Sequence, residues 1–117
     1  MSSAKTDETL EGYVVDVGCL RGYARRETLD RARQHRRDCL LMGHCIESGY
    51  ALVSDDDRVI VLDSEATHRV LQIAHSSRRT KGLKLRVSRT PRDGAMETVG
   101  VEEIDSLPMR EEKVYPE

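Results

Sequence analysis

The chain of 117 residues carries 19 Lys and Arg against 21 Asp and Glu, a net charge of −2. That length supports one domain with a single modest core, and the charge balance argues against a dominant polyanion-binding role. Trp and Phe are absent and Tyr occurs four times, so the interior must be aliphatic, and the stacking platforms of single-strand nucleic-acid binders are missing.

Residues 1–9 are polar and read as a disordered tail. They contain no apolar stretch of the kind a secretory signal needs, and no apolar run in the chain reaches the length of a membrane span. A cytoplasmic location is the expectation, with no membrane partner. In a reducing compartment, closely spaced cysteines are more often metal ligands or catalytic thiols than structural disulfides.

Leu10 to Val17 alternates, with Tyr13, Val15 and Val17 on one face and Gly12, Val14 and Asp16 on the other, which predicts a strand. Residues 21–38 hold seven Arg against three acids, a local charge of +4. Thr28 to Arg37 has helix formers and no Gly or Pro, with only Leu29 and Ala32 as an apolar face, so this predicts a surface helix. Cys39-Leu-Leu-Met42 is the first buried-looking run after it, and Gly43 breaks that run. Tyr50–Ser54 and Arg58–Leu62 flank Asp55-Asp-Asp57 as a hairpin with an acidic turn.

Ser64 is the expected N-cap of a helix whose apolar face is Ala66, Val70, Leu71 and Ala74. Leu83, Leu85 and Val87 alternate with polar residues in a further strand. Pro91-Arg-Asp-Gly94 marks a turn. Ala95 to Ile104 is the last strand, with Met96, Thr98 and Gly100 opposite Glu97, Val99 and Val101. An acidic tail occupies 105–117. Five strands with a helix between the third and fourth give a mainly β, α+β class and the order of a small OB-like barrel. A Cys/His-bearing helical insertion separates strands one and two, and the single domain spans 10–104.

All three cysteines and a histidine fall in one stretch, Cys19-x15-His35-x3-Cys39-x5-Cys45. Three thiolates and one imidazole are a common zinc donor set, and an odd cysteine count leaves one thiol over if any pair oxidises. On a continuous helix, His35 and Cys39 at i, i+4 would share a face. Such a site would pin a segment with too little apolar surface to hold itself down, because binding energy becomes folding energy. His44 competes with His35 as the nitrogen donor. Met42, in Cys39-x2-Met42-x2-Cys45, admits Cu(I) as an alternative ion, although a core-filling role beside Leu40 and Leu41 is the simpler expectation.

No glycine-rich phosphate loop, GxSxG or HExxH occurs. A thiol nucleophile at Cys39 or Cys45, paired with His35 or His44, is the enzymatic alternative. Arg21, Arg25, Arg26, Arg33, Arg36 and Arg37 form a candidate surface for a protein or anionic partner, since arginine pairs bidentately with carboxylate and phosphate. The acidic C-terminal segment could equally pair with them.

Gly12-Tyr-Val-Val-Asp-Val-Gly-Cys19, followed by His35-x3-Cys-Leu-Leu-Met-x2-Cys45-Ile-Glu-Ser-Gly-Tyr50, resembles a group of small uncharacterised bacterial proteins. Their pattern is a strand ending in Asp-x-x-Cys, a His shortly before Cys-Ala-Leu-Met-x-x-Cys, then Ser-Gly-Tyr or Ser-Gly-Phe entering a hairpin. The resemblance covers residues 10–104. It implies an OB-like domain in which Cys19, His35, Cys39 and Cys45 hold the recurrent polar positions, and it implies no established activity. Many members of that group carry export signals, which are not expected from the polar start of this chain, and its stretch 21–37 is longer and more basic than theirs. The expectation is therefore a zinc-binding accessory or binding module, with a metal-handling or thiol-active protein as its competitor.

Overall fold

The computed structural model describes residues 6–104. Its elements run β1 (Glu8–Asp16), α1 (Val17–Leu20), a 3-10 turn (Arg25–Glu27), α2 (Thr28–Gln34), α3 (Arg37–Leu40) and α4 (Gly43–Ser48). The hairpin β2 (Tyr50–Val53) and β3 (Val59–Val61) follows, then α5 (Ser64–Ser76), β4 (Lys84–Arg92) and β5 (Ala95–Ile104). The strands form one antiparallel sheet in the order β3-β2-β1-β4-β5. This is the expected α+β class with an OB-like strand order. The sheet stays open, with β3 and β5 as its two edges among the described residues.

β1 is central because both of its faces are apolar. Val14 faces the larger core with Tyr50, Leu52, Leu85, Val87 and the α5 residues Ala66, Val70 and Ala74. Val15 faces a smaller core with Ala51, Val53 and Ala32 of α2. Each face of a strand repeats every second residue, so one strand serves both layers. Gly12 is required where β1 crosses β2, since a Cβ there would stand 2.7 Å from the Val53 carbonyl oxygen. β1 begins at Glu8, paired with Arg89, two residues earlier than the sequence suggested. Glu8 and Thr9 thus belong to the sheet rather than to a disordered tail. The proposed tails at 1–5 and 105–117 lie outside the described residues.

Two further expectations are corrected. Asp63, not Ser64, is the N-cap of α5, and its side chain makes no cap bond. It turns instead to β5, where its carboxylate accepts from the Thr98 amide at 3.0 Å and from the Thr98 hydroxyl. On β5 the register shifts at Ser88/Arg89, so Ser88 pairs Gly100 while Arg89 pairs Thr98. The extra residue is Val99, 48% exposed, and beyond it Val101 packs on the larger core. A bulge changes which face follows, which is why simple alternation put Val99 and Val101 together. The turn after β4 is tighter than Pro91-Arg-Asp-Gly94: Pro91 and Arg92 are still paired in β4, and Asp93-Gly94, at φ of 53° and 83°, makes a two-residue hairpin loop.

The Asp63–Thr98 contact has a pH signature. Burial would raise the Asp63 carboxyl, but the two Thr98 bonds outweigh it and hold the group below its ordinary value. A carboxyl lowered on folding stabilises the protein above its unfolded pKa, and that stability is lost as pH falls through the folded pKa. Thr98→Val, nearly isosteric at a buried position, is expected to cost about 1.5–3 kcal/mol at pH 7, the usual worth of a hydrogen bond to a charged group. Urea unfolding at pH 7 and again near pH 3 checks this: the difference from the parent should shrink at the lower pH.

Candidate metal centre

The donor cluster starts with Asp16, the last residue of β1, fully buried and paired with Tyr50 of β2. It is also the N-cap of α1, its Oδ2 accepting from the Cys19 amide at 2.9 Å. That cap turns the chain sharply enough to bring Cys19 back over the strand end. The turn is tied to α4 by two bonds, Val17 N to Gly49 O at 2.9 Å and Gly18 N to Ser48 Oγ at 3.0 Å. Ser48 Oγ in turn donates to the Cys45 carbonyl at 2.7 Å, so the segments bearing Cys19 and Cys45 are stitched together directly.

Cys39 arrives on α3, which is anchored by buried Leu40 and by the Tyr50 hydroxyl donating to the Leu40 carbonyl at 2.6 Å. The continuous helix expected through His35 and Cys39 does not form. α2 ends at Gln34, His35 is extended, and α3 begins at Arg37. The break follows from the loop before β4, which claims this backbone: Gly82 N donates to His35 O at 3.0 Å and Arg37 N to Thr80 O at 2.8 Å. Gly82 has φ 68°, and a Cβ on it would meet the Arg33 carbonyl oxygen at 2.6 Å, so only glycine fits there.

The result is a compact group. Cys19 Sγ lies 3.4 Å from Cys39 Sγ, Cys39 Sγ lies 3.8 Å from Cys45 Sγ, and Asp16 Oδ1 lies 3.8 Å from Cys39 Sγ. One donor atom each from Asp16, Cys19, Cys39 and Cys45 falls within 4.8 Å of all the others, a grouping that could hold a metal ion. All three cysteines are free thiols.

His35 stands one bond behind this group. Its Nε2 is 2.9 Å from Asp16 Oδ1, and its Nδ1 is 2.9 Å from the Tyr23 hydroxyl. Both ring nitrogens are satisfied together when Tyr23 donates to Nδ1 and Nε2–H donates to Asp16. The donor atom grouped with the three thiols is therefore an Asp16 carboxylate oxygen, and His35 holds that carboxylate from behind. His44 is exposed on α4, and Met42 is 49% exposed rather than filling the core beside Leu40.

Electrostatics separate the chemical readings. Burial pushes the Cys39 thiol up to about 11, aided by the Cys19 contact and the Asp16 charge. Burial, with Asp16 and Cys39 adjoining, pushes Cys45 up to about 12, and burial also raises Cys19. Burial would raise Asp16 as well, yet the Cys19 amide, the neighbouring thiols and His35 together hold it below the usual range. A nucleophilic cysteine needs the opposite environment, one that favours thiolate. Of the two imidazoles that could activate it, His35 is committed to Asp16 and Tyr23, and His44 is exposed on α4. A bound cation, by contrast, deprotonates coordinating thiols outright.

The arginines divide. Arg25 donates to Asp57 at 3.0 Å and Arg33 approaches Asp55 at 3.7 Å, so the acidic hairpin turn tethers the insertion. Arg37 donates to the Ser77 carbonyl at the end of α5 at 2.6 Å. Arg21, Arg26 and Arg36 are exposed. An open cavity of about 680 Å³ borders the donor group on the Cys19 and Cys39 side, with His35, Tyr23 and residues of α2 in its wall. Among the described residues no helix is long and apolar enough to cross a membrane. No protein-family model matches the chain, and neither the curated proteins nor the solved structures give a significant match.

Proposed function

We propose that the chain is a zinc-binding module in which Asp16, Cys19, Cys39 and Cys45 hold one ion and so fix the helical insertion onto the end of β1. The mutual spacing of the four donors carries this reading. Metal–sulfur bonds of about 2.3 Å and metal–oxygen bonds of about 2.0–2.2 Å in a tetrahedron put neighbouring sulfurs about 3.8 Å apart and a sulfur about 3.5 Å from the oxygen. The Cys39–Cys45 separation is 3.8 Å, and the Cys19–Cys39 and Cys39–Asp16 separations, 3.4 and 3.8 Å, lie within a few tenths of an ångström of these values. The donor types favour zinc over Cu(I): a carboxylate oxygen is a poor partner for Cu(I), whereas zinc accepts oxygen beside thiolate. The same reading extends to the bacterial group the chain resembles, with the aspartate of its Asp-x-x-Cys as donor. Exposed Arg21, Arg26 and Arg36 are the insertion's offering to an anionic partner.

Native mass spectrometry and elemental analysis of protein purified without chelator test this, with one zinc per chain expected. Cobalt substitution should give the intense visible absorption and thiolate charge-transfer bands of a tetrahedral site. A folded protein that neither carries nor takes up zinc would sink the proposal. His35→Ala is expected to weaken zinc affinity about 10–100-fold, the usual effect of losing a group that orients a ligand, whereas His44→Ala should leave it unchanged. Competition with a chromogenic chelator reads both.

A further inference from the structure

The donor group has two unlike sides. Asp16 is fully buried and Cys45 is 1% exposed, while Cys19 and Cys39 are only half-buried and line the open cavity of about 680 Å³. A site with four protein ligands is closed in coordination, but these four donors differ in how far solvent and solutes can approach them. Here a cavity of small-ligand volume is lined by two of the three cysteines.

The cavity wall is charged in both signs, with Arg31 and Arg36 beside Glu27 and Asp30. These charges are loosely engaged. Arg31 meets Glu27 at 3.4 Å with both side chains about half exposed, and Arg36 meets Asp38 at 3.8 Å with both largely exposed. Exposed pairs of this kind are worth little and are readily traded for a ligand's charges. Arg31 also lies 5.7 Å from the Tyr23 ring, which places its guanidinium over the inner wall near His35.

We infer that this cavity admits a small zwitterionic thiol, with its carboxylate toward Arg31 and Arg36 and its ammonium toward Glu27 and Asp30, and that the bound ion is handed on through it. The inference rests on the metal reading above. The exchange is redox-neutral. The incoming thiol gives up its proton and its sulfur bonds to the ion, the Cys19 Sγ–ion bond breaks, and Cys19 takes up a proton. Cys19 is the ligand that leaves first because it lines the cavity on α1, whose backbone is tied to α4 but which has no buried side chain, whereas Cys39 is followed by fully buried Leu40 and Cys45 is enclosed.

Protein carrying one zinc is mixed with a chromogenic chelator and increasing L-cysteine, and in parallel with 2-mercaptoethanol, which has the thiol without the charges. Zinc release should rise linearly with L-cysteine. In the Arg31→Gln, Arg36→Gln double variant that slope should fall about tenfold, the sum of two modest charge-assisted contacts, while the 2-mercaptoethanol slope stays the same. Release that is independent of thiol concentration overturns the inference and leaves the metal reading intact. Equal loss of both slopes in the variant overturns the charge-recognition part. A protein that never loads zinc overturns the metal reading and this inference with it.

Discussion

Asp16→Asn should fold and fail to hold the metal. Asparagine caps a helix as well as aspartate does, so it keeps the bond from the Cys19 amide that forms the turn into α1. Its amide nitrogen then stands in the Oδ1 position and donates to His35 Nε2, with the imidazole switching tautomer so that Nδ1–H donates to the Tyr23 hydroxyl. What it loses is the charge and basicity that bind a cation. The metal-free variant should stay within about 1 kcal/mol of the parent, since cap exchanges among Asp and Asn are nearly neutral, while zinc affinity drops at least about 100-fold, beyond the usual effect of an outer group. Asp16→Ala separates the two roles. It deletes the cap, worth about 0.5–2 kcal/mol, and strands the buried His35 Nε2–H at about 1–3 kcal/mol more. Metal-free Asp16→Ala should therefore be less stable than the parent by about 3 kcal/mol in urea unfolding. If Asp16→Asn binds zinc like the parent, the carboxylate is not a ligand.

The second large effect is on the insertion itself. Residues 17–48 form four short helices whose buried side chains are few, Thr28, Ala32, Leu40 and Cys45. Helices this short are not stable on their own. An ion binding only the folded state adds about 2.7 kcal/mol when free metal is a hundredfold above its dissociation constant. At about 4–8 °C per kcal/mol for a domain of this size, zinc should raise the melting temperature by about 10–20 °C. Hydrogen exchange should place the gain. Amides between Val17 and Ser48 should slow on zinc addition, while those of the β4–β5 hairpin, held by their own nine-pair ladder, should change far less. Uniform protection across the chain would mean that insertion and sheet open together as one cooperative unit.

Much of this was legible beforehand because it follows from local pattern. The alternation around Val14 and Val15 marked β1 as a strand, though not that both its faces are covered. Ala66, Val70 and Ala74 marked the inner face of α5, where Ile73 rather than Leu71 completes the contact. The clustering of Cys19, Cys39 and Cys45 could be read from their proximity in sequence. What could not be read was set by distant backbone. His35 leaves the helix because Gly82 and Thr80 capture its flanking peptide groups, some 45 residues away in sequence. Val99 turned outward because a bulge resets a strand's alternation. Asp16 carried a signal that was visible but not weighed: it stands three residues before Cys19, the spacing of a helix cap whose carboxylate faces the following turn.

That position gives Asp16 a consequence for assembly. Side chains alternate across β1, so a one-residue slip against β2 would replace Asp16 opposite Tyr50 with Val15 or Val17. Three thiols would then face an aliphatic group, and the tetrahedral donor set would be lost. On the zinc reading proposed above, tight ion binding would be available only to chains whose central strand is correctly aligned. The ion would act as a proofreader of strand alignment, and saturation of the site would report the fraction of molecules in which the sheet has been laid down in register.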